Sequence, residues 1–184
     1  MNKLFKERLS YDWVYYVVVV ILAISVWFYA FKLYHLPKKY EKLEIFFGGT
    51  VNDYSFEKDA LEKLQDEGVL KVSISSIATS DKAFANKYDI VGLNNSDIVL
   101  VPLSIATKTA CSLTFIELDD DYNCPYFTQE GKNYGLIINK DLLSKYFIFD
   151  NEDYVIMING GSVNAGSITS TAYSLVKWMV GYEN

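Results

Sequence analysis

WVYYVVVVILAISVWFYAF, residues 13–31, runs for nineteen positions without a charge. A helix rises about 1.5 Å per residue, so this stretch covers about 29 Å, the thickness of a bilayer's hydrocarbon core. The run ends at Phe31; Trp13, Tyr15 and Tyr16 stand at one end, and Trp27, Tyr29 and Tyr34 at the other. Amphipathic rings favour the headgroup level, so both ends read as interfacial girdles. A valine-rich segment is a poor helix former in water. In lipid, where the backbone must satisfy its own hydrogen bonds, helix is the conformation open to it. A core strand would be shorter, and a core helix this long would show a polar face. The residues that follow, Lys32, Leu33, Tyr34 and His35, are bulky and give no small-x-small site for removing a leader. The stretch therefore predicts a transmembrane helix over 13–34, preceded by a short tail over 1–12. Its partner is the lipid bilayer.

Outward from the helix, residues 35–42 form a basic connector, broken by Pro37 and carrying Lys38, Lys39 and Lys42. Lys3, Lys6 and Arg8 flank the other side, so the positive-charge rule is close to a tie and leaves orientation open. The charge is strongly partitioned along the chain. Residues 1–42 sum to +4 and residues 43–184 to −10, within a total of −6. A domain this acidic repels phosphate backbones, so no nucleic-acid partner is expected.

Two scarce residue types prune the chemistry. The only histidine is His35 and the only arginine is Arg8, so residues 43–184 contain neither. Ser-His-Asp and Cys-His catalysis and histidine-containing zinc sites are therefore excluded there. The guanidinium clamp that suits carboxylates and phosphates is missing as well. No cofactor motif and no catalytic signature stand in the sequence, and a non-enzymatic protein is expected.

From residue 43 onward, strand-like runs alternate with helical periods. Strands are predicted at 43–47 (LEIFF), 69–75 (VLKVSIS), 97–102 (DIVLVP), 112–118, 134–139 and 154–159 (YVIMIN). Helices are predicted from Ser55, with Phe56, Ala60, Leu61 and Leu64 on one face and Gly68 as the stop; from Ser80 or Asp81 through Tyr88; over 141–146; and over 167–181. This alternation predicts one α/β domain over 43–184, with a mostly parallel sheet and helices on both faces.

Several constellations carry candidate chemistry. Gly48, Gly49 and Thr50 lie between the first strand and the first helix, where open α/β sheets bind ligands; a plain tight turn is the competing expectation. Asp119, Asp121, Asn123 and Glu130 match positions of a calcium loop, although Cys124 stands where that loop needs glycine and a solvated acidic turn fits better. Cys111 and Cys124 form either a disulfide or two separate thiols. Ser162, Asn164 and Ser167 lie in a polar loop that either caps the last helix or faces a ligand.

Taken together, residues 43–48 (LEIFFG), 96–102 (SDIVLVP), 134–143 (YGLIINKDLL) and 162–179 (SVNAGSITSTAYSLVKWM) resemble bacterial extracellular solute-binding proteins, the receptors of ABC importers. The resemblance spans the whole α/β region but has room for a single lobe, and a helix anchors it where many family members carry a lipid. It implies one lobe of a periplasmic-binding-protein fold, outside the cytoplasm and attached to the cell membrane by a single pass. Such a domain would act as an accessory to transporter membrane subunits or another envelope protein. The implied ligand face comprises Gly48, Gly49, Thr50, Ser104, Ser162 and Asn164, with Tyr122 and Tyr126 adding stacking area. A structural or protein-interaction module without a small-molecule ligand is the alternative. An extracytoplasmic domain should expose a Lys132→Cys variant to a membrane-impermeant thiol reagent in intact cells. Labelling that needs lysis would place the domain in the cytosol instead.

Overall fold

The computed structural model describes residues 3–34, 36–119, 122, 124–166 and 169–181, with the side chains of residues 3–12 excepted. The chain divides into two compact units, residues 1–36 and 37–184.

The first unit is helix α1, Lys3–Tyr34. Within it, Trp13–Tyr34 has a mean hydropathy of 2.3 and none of its most apolar window is buried. Among the described residues it is the one helix long and apolar enough to cross a membrane. A helix apolar on every side has no core-facing stripe, so an apolar solvent suits it. The hydroxyl of Ser25 donates to the carbonyl of Ile21 at 2.8 Å, which satisfies that polar group within the helix.

The second unit opens with a single turn, Lys39–Glu41, closed by the Lys38 N–H donating to Glu41 Oε2 at 2.8 Å. Strand β1, Lys42–Phe47, follows, then the short β2, Thr50–Val51. Helix α2, Ser55–Lys63, leads to β3, Lys71–Ser76. Helix α3, Phe84–Lys87, continues into a π-helical stretch, Tyr88–Leu93, and then β4, Ile98–Pro102. Two one-turn helices, α4 (Leu103–Ala106) and α5 (Cys111–Thr114), precede β5 (Tyr126–Gln129) and β6 (Lys132–Ile137). The chain ends through α6 (Lys140–Leu143), β7 (Phe147–Ile148), β8 (Tyr154–Ile158) and α7 (Thr171–Met179).

Six strands form one sheet in the order β3-β1-β4-β8-β6-β5, and β2 pairs with β7 in a separate ribbon. β1 runs parallel to both β3 and β4, each reached by a crossover that carries helix. The other three pairings are antiparallel. The sheet is thus mixed, which corrects the mostly parallel expectation. The cause is local for β5 and β6, whose two-residue turn places Glu130 at φ 56° and Gly131 at φ 80°. Positive φ at both central positions matches the twist of a tight hairpin, and glycine takes it without a Cβ clash. For β8 the cause is distant, since it inserts between β4 and β6, both already laid down.

The strand expected over 112–118 is not formed. Its first residues make α5, and the rest meets the sheet at scattered points: an isolated bridge from Phe115 to Asn159, the Ile116 N–H donating to Ile158 O at 3.0 Å and the Leu118 N–H to Asn133 O at 2.7 Å. The Cys111 N–H donates to Gln129 Oε1 at 3.0 Å, holding this turn against β5 in place of a ladder. The helix expected from Ser80 or Asp81 begins at Phe84. The one expected over 141–146 is α6, and the last begins at Thr171, its predicted start at Ser167 lying outside the described residues.

Side chains alternate across the sheet and build a core on each face. Leu43, Ile45, Phe47, Ile98, Leu100 and Ile156 pack on one side beneath α2 and α7. Phe46, Val99, Val101, Val155 and Met157 pack on the other with Phe84, Tyr88, Ala106 and Cys111 from α3 to α5. Helices therefore cover both faces, as the alternating pattern predicts. At Gly135 a Cβ would lie 2.6 Å from Val155 Cγ1 and 2.8 Å from the Ile156 carbonyl oxygen. Backbone cannot step aside within a paired strand, so Gly135→Ala should destabilise the domain by about 3 kcal/mol. Denaturant unfolding of the full chain in detergent micelles measures this.

Candidate functional site

The two ends of the parallel strands differ sharply. At the C-terminal ends of β1 and β4, where the sequence places a ligand face, the chain's own groups fill the hydrogen-bonding positions. The Gly48 N–H donates to Leu100 O at 2.8 Å, and its carbonyl accepts from Tyr154 Oη at 3.0 Å. Thr50 pairs with Ile148 in the ribbon. Ser104 donates through its N–H (3.1 Å) and its hydroxyl (2.9 Å) to the two oxygens of Glu152. Thr79 donates to Asp150 Oδ2 at 2.8 Å, and Lys140 Nζ to the carbonyls of Asp150 and Glu152 at 3.4 and 3.1 Å. The acidic segment 149–153 thus straps this edge shut, and Gly48-Gly49-Thr50 is a turn.

The opposite edge is open. A cleft of about 530 Å³ lies at the N-terminal ends of β1 and β4 and the C-terminal end of β8. Lys39, Lys42 and Glu44 come from the start of the domain; Asn94, Asn95, Ser96 and Asp97 precede β4; Asn159 and Ser162 follow β8. Local structure explains how Asp97 arrives there. Three consecutive side chains close the π-helical stretch: Asn94 and Asn95 donate to the carbonyls of Asp89 and Ile90 at 2.5 and 2.6 Å, and Ser96 to that of Val91 at 2.7 Å. Each bond spans five residues, so the capping matches the wide helical turn it terminates. Asn159 Nδ2 adds a bond to Leu93 O at 2.6 Å.

Asp97 is only 8% exposed, and its carboxylate collects donors from two segments. The Glu44 N–H donates to Oδ2 at 2.7 Å, and the Ser162 hydroxyl donates to Oδ1. Burial nevertheless wins and raises its pKa, against the lowering effect of those donors and with a smaller push from the Glu44 charge. Asn164, 1% exposed, ties the loop to the domain's first residues: Nδ2 donates to Lys42 O at 2.9 Å and reaches Lys39 O at 3.5 Å. Its Oδ1 accepts from Thr169 at 3.0 Å. Beside the floor, Lys42 Nζ pairs with Glu44 Oε1, both side chains about one-third exposed.

The expected site residues are therefore divided. Gly48, Gly49, Thr50 and Ser104 lie at the closed edge; Ser162 and Asn164 lie at the open one, a strand's length away. Tyr122 and Tyr126 belong to neither edge. The Tyr122 N–H donates to Tyr126 Oη at 2.8 Å, and that hydroxyl donates to Asp119 O at 3.1 Å. Both rings pack on the core rather than offering a stacking platform. For the calcium spacing, Asp121 and Asn123 lie outside the described residues. Asp119 sits beside Tyr126 at the start of β5, whereas Glu130 is in the turn at its far end, so these two acids do not converge. Among the described residues no group of three His, Cys, Asp or Glu side chains is placed to hold a metal ion. Cys111 and Cys124 are free thiols, which corrects the disulfide alternative: Cys111 is buried in one core and Cys124 packs against the other. Burial pushes the Cys111 thiol up to about 11.

Lys39, Lys42, Glu44, Asn94, Asn95 and Asn159 were not singled out by sequence as cleft residues. The usable signal was the polar run 94–97 (NNSD) immediately before a wholly apolar strand. No family model matches this chain, and comparison with curated proteins and with solved structures finds no match.

Two measurements follow. Asn164→Ala leaves the Lys42 carbonyl without its buried donor and should cost about 1–3 kcal/mol of stability in denaturant unfolding. For Asp97, the folded pKa is above the ordinary carboxylate value, so the folded state binds more protons than the unfolded state between the two. The Asp97 contribution to stability therefore rises as pH falls from neutral through the raised pKa toward about 3.8, the ordinary value. The stability of the wild type relative to Asp97→Asn should increase over that window, measured by unfolding at a series of pH values.

Proposed function

We propose that this chain is a non-enzymatic, membrane-anchored binding module, its apolar helix in the bilayer and its α/β domain outside the cytoplasm. It serves as a solute-binding-like accessory to a transporter or another envelope assembly. The observation that carries this reading is the open cleft at the N-terminal ends of β1 and β4, concave and lined by polar side chains from three parts of the chain. A volume of about 530 Å³ lies within the range of small-molecule sites. Asp97, a buried carboxylate on its floor, is held by the Glu44 N–H and the Ser162 hydroxyl, which gives the floor a set shape. The same bonds argue for binding over catalysis: the Ser162 hydroxyl donates to Asp97 while its oxygen accepts from the Asn164 N–H at 3.0 Å, and a carboxylate is a weak base for a serine. The resemblance of the four segments to solute-binding proteins supports a single lobe that offers one wall of a site.

A second reading, a protein-interaction module, draws on a second concavity of about 630 Å³ that shares Asn94, Asn159 and Gly161 with the first. Leu113, 87% exposed, lies at its rim. Together the two make a longer groove than a small solute requires.

The test is a thermal-melting screen of the full chain in detergent micelles against small polar solutes: sugars, amino acids, phosphorylated alcohols and polyamines. At least one solute should raise the melting temperature of the wild type and lose its effect in Glu44→Gln. A screen in which no solute moves the melt sinks the solute reading and leaves the interaction module.

A further inference from the structure

The cleft beside Asp97 holds both signs of charge, supplied by different segments. Its cations are Lys39 and Lys42, whose backbone carbonyls are both reached by the Asn164 amide, which places the two residues together on one wall. Its acceptors come from Glu44 and from the loop 94–97. The side-chain nitrogens of Asn94 and Asn95 are spent on the π-helical carbonyls, which leaves their oxygens to the cleft. Among the described residues, neither oxygen accepts a hydrogen bond. A carboxylate offers roughly four lone-pair positions, and the two donors to Asp97 leave it about two. Between the two walls stands the Lys42–Glu44 ion pair, part-exposed and two residues apart on β1.

That pair sets what can enter. A bare anion that draws Lys42 away leaves Glu44 without its partner in a half-buried cleft. A bare cation on Glu44 does the same to Lys42. A ligand bearing both charges replaces each partner in turn and leaves neither group unpaired. We propose that the cleft binds a small zwitterion, with its primary ammonium on Glu44, Asp97 and the side-chain oxygens of Asn94 and Asn95, and its phosphate or carboxylate on Lys39 and Lys42. This rests on the binding-module reading and names its ligand class. The same chemistry has two sources, a free solute or the ethanolamine phosphate headgroup of a bilayer lipid.

The test titrates the full chain in detergent micelles with four probes, read by calorimetry: O-phosphoethanolamine, phosphocholine, ethanolamine and inorganic phosphate. O-phosphoethanolamine should bind at least about tenfold more tightly than each of the others, since only it brings ammonium N–H donors and an anion together. Glu44→Gln and Lys39→Gln should each weaken it several-fold. The probe series on the wild type decides the matter even where a variant fails to fold. Equal binding of phosphate or phosphocholine overturns the proposal. A neutral sugar that shifts the melt while O-phosphoethanolamine does not bind overturns the zwitterion class but leaves the binding module standing. Silence from the zwitterion and from every solute in the screen removes both. Repeating the titration in nanodiscs separates the sources: binding lost only in phosphatidylethanolamine discs identifies the headgroup, and binding retained in both phosphatidylethanolamine and phosphatidylcholine discs identifies a free solute.

Discussion

Ile98, Val99, Leu100 and Val101 have no surface left to water, and the domain is arranged around that fact. A strand whose alternate side chains are all apolar needs cover above and below. Burying each such side chain is worth about 1.5–3 kcal/mol, so leaving either face open would forfeit several kcal/mol. β4 accordingly lies inside the sheet, parallel to β1 on one edge and antiparallel to β8 on the other. α2 and α7 cover one face, and α3 to α5 cover the other. β8 shares the constraint, being buried along its whole length.

With both faces covered, the ends of the strands are the places left for polar groups to meet, and the two ends are treated oppositely. At one, Asp150 and Glu152 satisfy Thr79 and Ser104, and Tyr154 satisfies Gly48, so the donors there are used internally. At the other, the π-helical stretch stops against its own side-chain caps and delivers Asn94, Asn95, Ser96 and Asp97 to a cleft. The usual rule that ligands sit at strand C-termini in open α/β sheets applies to an unobstructed crevice. Here the strap over that edge shifts the open polar surface to the opposite side.

Legibility in the sequence tracked the range of the interactions involved. The apolar helix, β1, β4, β8, α2 and α7 follow from hydrophobic pattern, a property of a few neighbouring residues. β5 did not, because 126–129 (YFTQ) becomes a strand only when the Glu130-Gly131 turn folds β6 back on it. The 112–118 segment alternates like a strand, yet Gln129 takes the Cys111 N–H, and Phe115, Ile116 and Leu118 meet the sheet only at scattered points. The site was half legible: Ser162 and Asn164 were found as a polar loop. Their partners, Asp97 and the carbonyl of Lys42, lie far away in sequence and were not grouped with them. The strand-end rule that points to Gly48, Gly49, Thr50 and Ser104 carries no information about which edge the strap closes.

The sequence by itself determined which stretch is long and apolar enough to cross a membrane, and the class of the fold. A nineteen-residue uncharged run makes a helix of membrane-crossing length and apolarity, and apolar strands alternating with amphipathic helices call for a covered sheet. Those conclusions need only the hydrophobic effect, which is non-directional and is read from composition and period. Strand direction, the order that sets β8 between β4 and β6, the closed and open edges, and the assembly of Asp97 with Ser162, Asn164 and Glu44 were decided by tertiary structure. Hydrogen bonds are directional and pair specific groups, and which groups meet depends on how distant segments close on one another.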